Sequence, residues 1–107
     1  MRYIEIDKEL VPYSFEIMLE QEMYVMEVLY NERVGLFTIT LYDNEENVLV
    51  YDEPLIYGQE LFSSVRNLDF PIVRLVPLDP ANVETEVTFD NLNETVFLTV
   101  NYEEEEE

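Results

Sequence analysis

Apolar and polar residues alternate along much of the first half of the chain. In the segment YSFEIML, residues 13–19, one face carries the side chains of Tyr13, Phe15, Ile17 and Leu19. The segment EMYVMEVLY, residues 22–30, continues the same alternation. A period of two is typical of a strand with one buried face. Because only Glu20 and Gln21 separate the two segments, we predict that they form a β-hairpin.

The strands that follow are separated by segments rich in turn-forming residues. NERVG, residues 31–35, is a predicted turn, since Asn tolerates left-handed backbone and Gly35 adopts positive φ at little cost. LFTITLYD, residues 36–43, is rich in β-branched residues and is a predicted strand. NEEN, residues 44–47, is a second turn, and a further strand begins at residues 48–51. The first half therefore reads as a meander of short strands.

The second half begins with a corner at PLIYGQELFSSV, residues 54–65. Gly58 allows a sharp turn, and Leu61, Phe62 and Val65 then share one face of a predicted short helix at residues 59–65. Such a helix would cover a sheet edge. We predict further extended segments at residues 72–76, ending before Pro77, at residues 87–89 and at residues 96–102.

Closely spaced short strands predict a mainly β fold: a small antiparallel β-sandwich or open barrel with one short helix near residues 59–65. The length of 107 residues favours one domain, which we place at residues 1–102. The last five residues, 103–107, are all Glu and predict a disordered acidic tail, because neighbouring like charges repel.

The charge is the unusual property of the composition. The chain has 25 acidic residues, five basic residues and no His, which gives a net charge of −20. Without the five terminal Glu residues the charge is still −15. A charge of this size repels nucleic acid and anionic membranes and favours basic partner surfaces. We therefore expect no nucleic-acid binding, and the absence of a long apolar run predicts no membrane span.

Catalytic groups are scarce. Ser63 and Ser64 would need a base to act as nucleophiles, yet the chain has no His and its only Lys is Lys8. Paired carboxylates can perform acid–base chemistry when one of them is buried, but Glu16 and Glu27 alternate with apolar residues and are expected to face water. We expect no catalytic residue, and the serines are interpreted as small structural residues.

Metal and cofactor sites also lack their usual residues. There is no Cys, so thiolate ligands are excluded. DNEEN, residues 43–47, resembles the start of a calcium loop, but the sixth position is not Gly and the twelfth position is Pro54. Gly35 and Gly58 are the only glycines, which leaves no glycine-rich phosphate loop. We therefore predict no metal and no cofactor.

Three stretches together resemble a known family. They are YNERVGLFTITLYD, PLIYGQELF and TFDNLNETVFLTVNY, at residues 30–43, 54–62 and 88–102. In order and spacing they are similar to the bacteriophage tail proteins grouped with the cyanophage baseplate plug. The matching positions in the corner and in the late element are Leu55, Gly58, Glu60, Leu61, Asp90, Asn91 and Leu92. The chain departs from the family pattern in having Phe37 where a Trp is frequent, and in its acidic tail.

The resemblance implies a non-enzymatic structural component of a phage tail, at the baseplate, its hub or the tail-tip plug. Such a protein is made in the host cytoplasm and resides in the virion. It would contact hub, tube or spike proteins, including their basic surfaces, within a symmetric oligomeric assembly. Aromatic residues are frequent interface anchors, and the candidates here are Tyr57, Phe62 and Tyr102. The seven matching motif residues would have an architectural role.

A different interpretation starts from the charge alone. Some small acidic proteins imitate the phosphate array of DNA and inhibit DNA-binding enzymes. They need many carboxylates on one rigid face, whereas the acidic residues here are distributed along the whole chain. This DNA-mimic function is the alternative to the structural one.

Overall fold

Seven strands form over the residues that the computed structural model describes, which are 2–19, 21–62 and 74–101. In chain order they are β1 (Tyr3–Ile4), β2 (Tyr13–Leu19), β3 (Glu22–Asn31), β4 (Leu36–Tyr42), β5 (Val48–Pro54), β6 (Arg74–Leu78) and β7 (Phe97–Asn101). They build two antiparallel sheets, one of four strands and one of three. The predicted mainly β fold is confirmed. The predicted acidic tail at residues 103–107 lies outside the described residues.

The four-stranded sheet has the order β2-β3-β4-β5, so each strand pairs with its neighbour in sequence. The register of β2 and β3 runs from Tyr13 opposite Val28 to Leu19 opposite Glu22, which confirms the predicted hairpin. Along β3, alternate residues are buried, in agreement with the period of two in the sequence. The meander predicted for the first half is therefore the observed topology.

Both predicted turns of this meander are present and are held by hydrogen bonds. In the first, the Gly35 N–H donates to the Asn31 carbonyl at 2.8 Å, and Gly35 has a φ of +71°. In the second, the Asp43 N–H donates to the Asn47 carbonyl at 3.0 Å. Asn31 and Asp43 also accept backbone N–H groups through their side chains, which is the usual reason for these residues at turns.

The three-stranded sheet brings the two ends of the described chain together. Its order is β1-β7-β6, with Tyr3 opposite Thr99 and Leu75 opposite Val100. Buried side chains from both sheets and from the loops form one hydrophobic cluster. The largest fully buried members are Phe37, Ile6, Leu19, Met26, Ile39, Leu41, Leu55, Leu75, Leu92, Leu98, Val28 and Val96. Burial of these apolar side chains is the main favourable contribution to folding.

The predicted short helix at residues 59–65 is wrong where the structure describes it. Residues 59–62 form an irregular turn, and Ser63, Ser64 and Val65 lie outside the described residues. Phe62 has a φ of +62°, which is incompatible with a right-handed helix. Its N–H donates to the Glu53 carboxylate at 2.9 Å. Backbone donors of this segment are thus used by tertiary partners, and no helical ladder forms.

The corner covers the outer edge of β6 in place of a helix. The Gly58 N–H donates to the Pro77 carbonyl at 2.9 Å, and the Leu61 N–H donates to the Leu75 carbonyl at 2.8 Å. These bonds satisfy carbonyls of β6 on the side opposite β7. Leu55 and Leu61 are buried in the same corner. The predicted role of this segment, protection of a sheet edge, is performed by an extended turn.

Three other segments differ from the predicted ones. The strand expected to end before Pro77 continues through it, since Pro77 pairs with Leu98 within β6. Pro is tolerated there because β6 is the terminal strand of its sheet, where a missing N–H leaves no ladder partner unsatisfied. Residues 87–89 are not a strand, although they were expected to be extended. The last strand is Phe97–Asn101, with Val96 in an isolated bridge to Leu92.

We predict that Gly58→Ala destabilises the protein by about 1–2 kcal/mol, because an L-residue is strained at positive φ. Gly58 has a φ of +76°, and a Cβ atom added there would meet no heavy atom within 4 Å. The effect should therefore come from backbone conformation and not from a steric clash. Urea unfolding of the purified variant measures it.

The matched variant is Gly58→Asn, since Asn tolerates left-handed backbone better than Ala. We expect it to lose less stability than Gly58→Ala. Equal losses in both variants would contradict a conformational origin.

Candidate functional site

Of the residues considered for catalysis, the structure describes Lys8, Glu16 and Glu27. Ser63 and Ser64 lie outside the described residues. The Lys8 ammonium donates to the Asp90 carbonyl at 2.6 Å and lies 3.7 Å from the Glu94 carboxylate. Lys8 therefore has partners in the late loop.

The carboxylates Glu16 and Glu27 lie on adjacent strands but have different environments. Glu16 is exposed, whereas Glu27 is half-buried and accepts a hydrogen bond of 2.8 Å from the Tyr42 hydroxyl. This hydrogen bond, together with partial desolvation and the negative charge of Glu27, raises the pKa of Tyr42 above its usual 10.0. The Tyr42 phenol is therefore neutral near physiological pH, and its hydroxyl donates the hydrogen bond to Glu27.

The segment DNEEN is a tight turn in which the Asp43 carboxylate bonds to groups of the turn itself. Asp43 accepts hydrogen bonds from the backbone N–H groups of Glu45 and Asn47 and from the Asn47 amide. The bonds from Asn47 are the largest cause of a lowered pKa for Asp43. Within residues 2–19, 21–62 and 74–101, no three or more acidic side chains are grouped so that they could hold a metal ion.

The late element Asp90-Asn91-Leu92 is organised by Asn91. The Asn91 side chain accepts from the Thr88 N–H at 2.9 Å and donates to the Glu86 carbonyl at 3.0 Å. Its backbone carbonyl accepts the N–H groups of the three residues 94–96, each at 3.0 Å. Leu92 is fully buried directly beside it. Asn91 is thus the centre of a closed loop that carries Leu92 into the core.

An aromatic cluster connects this loop to the four-stranded sheet. Tyr30, Phe37 and Phe89 have ring centroids 4.7 to 5.8 Å apart, and Phe37 and Phe89 are stacked. The Lys8 ammonium lies 5.7 Å from the centroid of the Phe89 ring. Phe37 is fully buried in this cluster.

Asp79 is a structural residue that the sequence analysis missed. It is only 3% exposed, and its carboxylate accepts the backbone N–H groups of Ala81, Val83 and Glu84 at 2.8 to 2.9 Å. These hydrogen bonds, above all the one from Glu84, lower the pKa of Asp79. The signal in the sequence was Asp followed by Pro80, a frequent start of a turn.

The corner and the Asp79 loop are linked by a tyrosine. The Asp79 N–H donates to the Tyr57 hydroxyl at 3.0 Å, and the Tyr57 ring packs against the core. At the end of the corner, Glu60 lies 3.7 Å from the Arg74 guanidinium. Phe62 is only 4% exposed, so it offers almost no surface in the isolated chain. Tyr102 lies outside the described residues.

The motif residues of the corner and of the late element therefore have architectural positions. Leu55, Leu61 and Leu92 fill the core, Gly58 turns the chain, and Asn91 closes a loop. Asp90 is exposed and contributes its carbonyl to Lys8.

Comparison with known protein families gives a match to the family described as cyanophage baseplate Pam3 plug gp18, over residues 1–103. The chain belongs to this family. No curated protein sequence matches it. The match covers both sheets, the corner and the late loop, and it identifies this member of the plug family as a structural component of a phage baseplate.

Membership of the plug family also sets the general location and associations of the chain. It is a component of the virion tail and associates with other tail components. Over the described part of the chain, no helix has the length and apolar character needed to cross a bilayer.

We predict that Asn91→Ala lowers the free energy of unfolding by about 1–3 kcal/mol, because it leaves partly buried backbone groups of residues 86 and 88 without partners. Denaturant unfolding of the purified variant measures this loss. Asn44→Ala is the control, since Asn44 is exposed in the second turn and its replacement should change stability by at most about 0.5 kcal/mol. Equal stability of the two variants would contradict the role of Asn91.

We predict a pH-dependent effect of Asp79→Asn. In the folded state, backbone N–H groups donate to the charged Asp79 carboxylate, so the pKa of Asp79 is below the 3.8 of an unperturbed Asp. The folded state therefore binds a proton at Asp79 less readily than the unfolded state does. The stabilisation by the charged carboxylate is complete above about pH 3.8 and is lost as the pH falls through the pKa of the folded state. The variant should melt below the wild type at pH 7, and the difference should narrow in acid.

Thermal unfolding from neutral pH to acid tests this prediction. Asp90→Asn is the control, because Asp90 is exposed and only its backbone carbonyl has a described partner. A difference between wild type and Asp79→Asn that is constant at all pH values would show that the charge of Asp79 does not stabilise the loop.

Proposed function

We propose that the chain is a non-enzymatic plug protein that acts through contacts with other tail proteins at the baseplate hub or the tail tip. The observation that carries this proposal is the family match over residues 1–103. In this role it contacts hub, tube or spike subunits and helps to keep the tail channel closed until infection. It is made in the host cytoplasm and is assembled into the virion tail.

The described structure is well suited to a passive, rigid component. In the described residues, no buried side-chain nitrogen or oxygen lacks a hydrogen-bond partner. The long loop between β6 and β7 is fixed by Asn91 and Asp79, which accept hydrogen bonds from backbone N–H groups of the loop itself. Fully satisfied polar networks make a loop rigid and favour a single conformation. A protein that blocks a channel by occupying it needs that property more than it needs a pocket.

Partner contacts in this proposal include the aromatic residues of the corner and of the C-terminal end. Tyr57 and Tyr102 contact neighbouring subunits, and Phe62 supports the corner from within the core. Residues 1–102 act as one β-rich domain, and the five terminal Glu residues extend from it towards basic surfaces. Symmetric assemblies repeat each contact, so modest individual contacts suffice for stable binding.

We expect a C-terminally tagged chain, produced during infection, to be incorporated into virions. Density-gradient purification followed by mass spectrometry should find the tagged chain in intact particles, and cross-linking should join it to hub, tube or spike proteins. A tagged host protein of similar size, produced in the same cells, is the control for non-specific trapping.

One result of the same experiment would contradict the structural function. Recovery of the chain only outside particles, bound to a nuclease, polymerase or repressor in a complex that dissociates at high salt, would overturn the structural function. That result would support the DNA-mimic alternative, because charge-dominated binding weakens steeply as salt rises.

A further inference from the structure

The outer face of the four-stranded sheet carries an apolar patch. The patch lies at the end of the sheet where β2 connects to β3 and β4 connects to β5. Side chains that alternate with the buried ones point to this face. Across the strands, Met18 is opposite Met23, Val25 is opposite Tyr42, and Tyr42 is opposite Val48. These five residues, Met18, Met23, Val25, Tyr42 and Val48, are called the outer patch below.

The outer patch is accessible in the isolated chain. Met18 is 56% exposed, Val48 is 52% exposed, and Met23 is 36% exposed. Next to them lies a shallow groove of about 290 Å³, and its lining is Ser14, Val25, Glu27, Tyr42 and Glu46. Met and Tyr are enriched in protein interfaces, and Met adapts its shape to a partner surface.

The charged residues on this part of the sheet are acidic. Glu16 lies opposite Val25 in the same row across the strands, and Glu27 and Glu46 line the groove. Between residues 13 and 54, Arg33 is the only basic residue, and it lies in the turn at the opposite end of the sheet. Arg2 lines a separate shallow pocket together with Met18, at the margin of the patch. The rim is therefore mainly acidic, which disfavours a second copy of the same face.

The groove is held in a defined shape by the hydrogen bond between Tyr42 and Glu27. The hydroxyl donates to the carboxylate at 2.8 Å, which fixes both side chains on the outer face. Side chains that are already ordered lose less conformational entropy when a partner binds. The charge of Glu27 remains available to a cationic group of a partner, since a carboxylate accepts several hydrogen bonds.

We propose that the outer patch is the docking surface for a baseplate subunit whose contact area has an apolar centre flanked by Lys or Arg side chains. This proposal rests on the proposed function. It adds which face of the chain makes the contact and which chemistry the partner surface has. Charge complementarity selects this occupant, because an acidic rim around exposed Met, Tyr and Val matches a basic rim around an apolar centre. The partner covers the hydrophobic side chains and neutralises Glu16 and Glu46.

Methionine oxidation in intact virions tests the location. Dilute hydrogen peroxide should oxidise Met18 and Met23 readily in the free chain and several-fold more slowly in purified virions, because the partner shields them. Met26 is fully buried and is the internal control, expected to react slowly in both samples. Equal oxidation of Met18 and Met23 in the two samples would overturn the proposal.

Cross-linking and charge variants test the partner chemistry. A carbodiimide should join Glu16 or Glu46 to lysines of a baseplate subunit, whereas a second copy could be joined only through Lys8, the single Lys of the chain, or through its N-terminal amine. Glu16→Lys should reduce incorporation into virions by about two- to fivefold, as expected for a rim ion pair. Glu32→Lys, the same charge change at the opposite end of the sheet, should leave incorporation unchanged.

The outcomes separate this inference from the function on which it rests. Absence of the chain from virions would overturn the proposed function. Three results with the chain present in virions would overturn the docking surface and leave the structural function in place. They are oxidation of Met18 and Met23 at the rate seen in the free chain, cross-links only to Lys8 or to the N-terminal amine of a second copy, and equal effects of the two charge variants.

Discussion

Residues 79–96 bury apolar side chains in the core without forming a strand, and every buried backbone group in this segment still needs a hydrogen-bond partner. Asp79 and Asn91 meet this requirement, the first with its carboxylate and the second with its amide and carbonyl. Without them, Val87, Leu92 and Val96 could be buried only by leaving backbone groups unpaired. The rest of the core packs against this loop.

The same loop also joins the two sheets. Phe89 stacks on Phe37 of β4, and Lys8, which follows β1, binds the loop through the Asp90 carbonyl. On the other side, Tyr57 connects the corner to Asp79, and the corner pairs with β6. Loops therefore act as the connections between sheets. The segments at residues 55–61 and 90–92, which carry the motif residues of the corner and of the late element, both lie outside the strands.

The strong negative charge of the chain is divided between structural and surface roles. Asp79 and Asp43 use their carboxylates to hold turns, and each has a lowered pKa because backbone N–H groups donate to it. Glu16 and Glu46 have no such task and remain exposed beside apolar residues of β2–β5. A baseplate component with this surface can bind a basic neighbour tightly while copies repel one another before assembly.

The sequence by itself determined the strands of the first half, their turns and the mainly β class, because a period of two and turn residues such as Asn31 and Gly35 act locally. The likeness to the plug family was also visible in short motifs. Only the tertiary structure decided that residues 59–62 form a turn on the edge of β6, that β6 continues through Pro77, and that Phe62 is buried. It also showed that Asp79 and Lys8 hold the loop between β6 and β7 through hydrogen bonds. These features depend on hydrogen bonds and contacts between residues far apart in the chain, such as Leu61 with Leu75 and Lys8 with Asp90, and local periodicity carries no record of them.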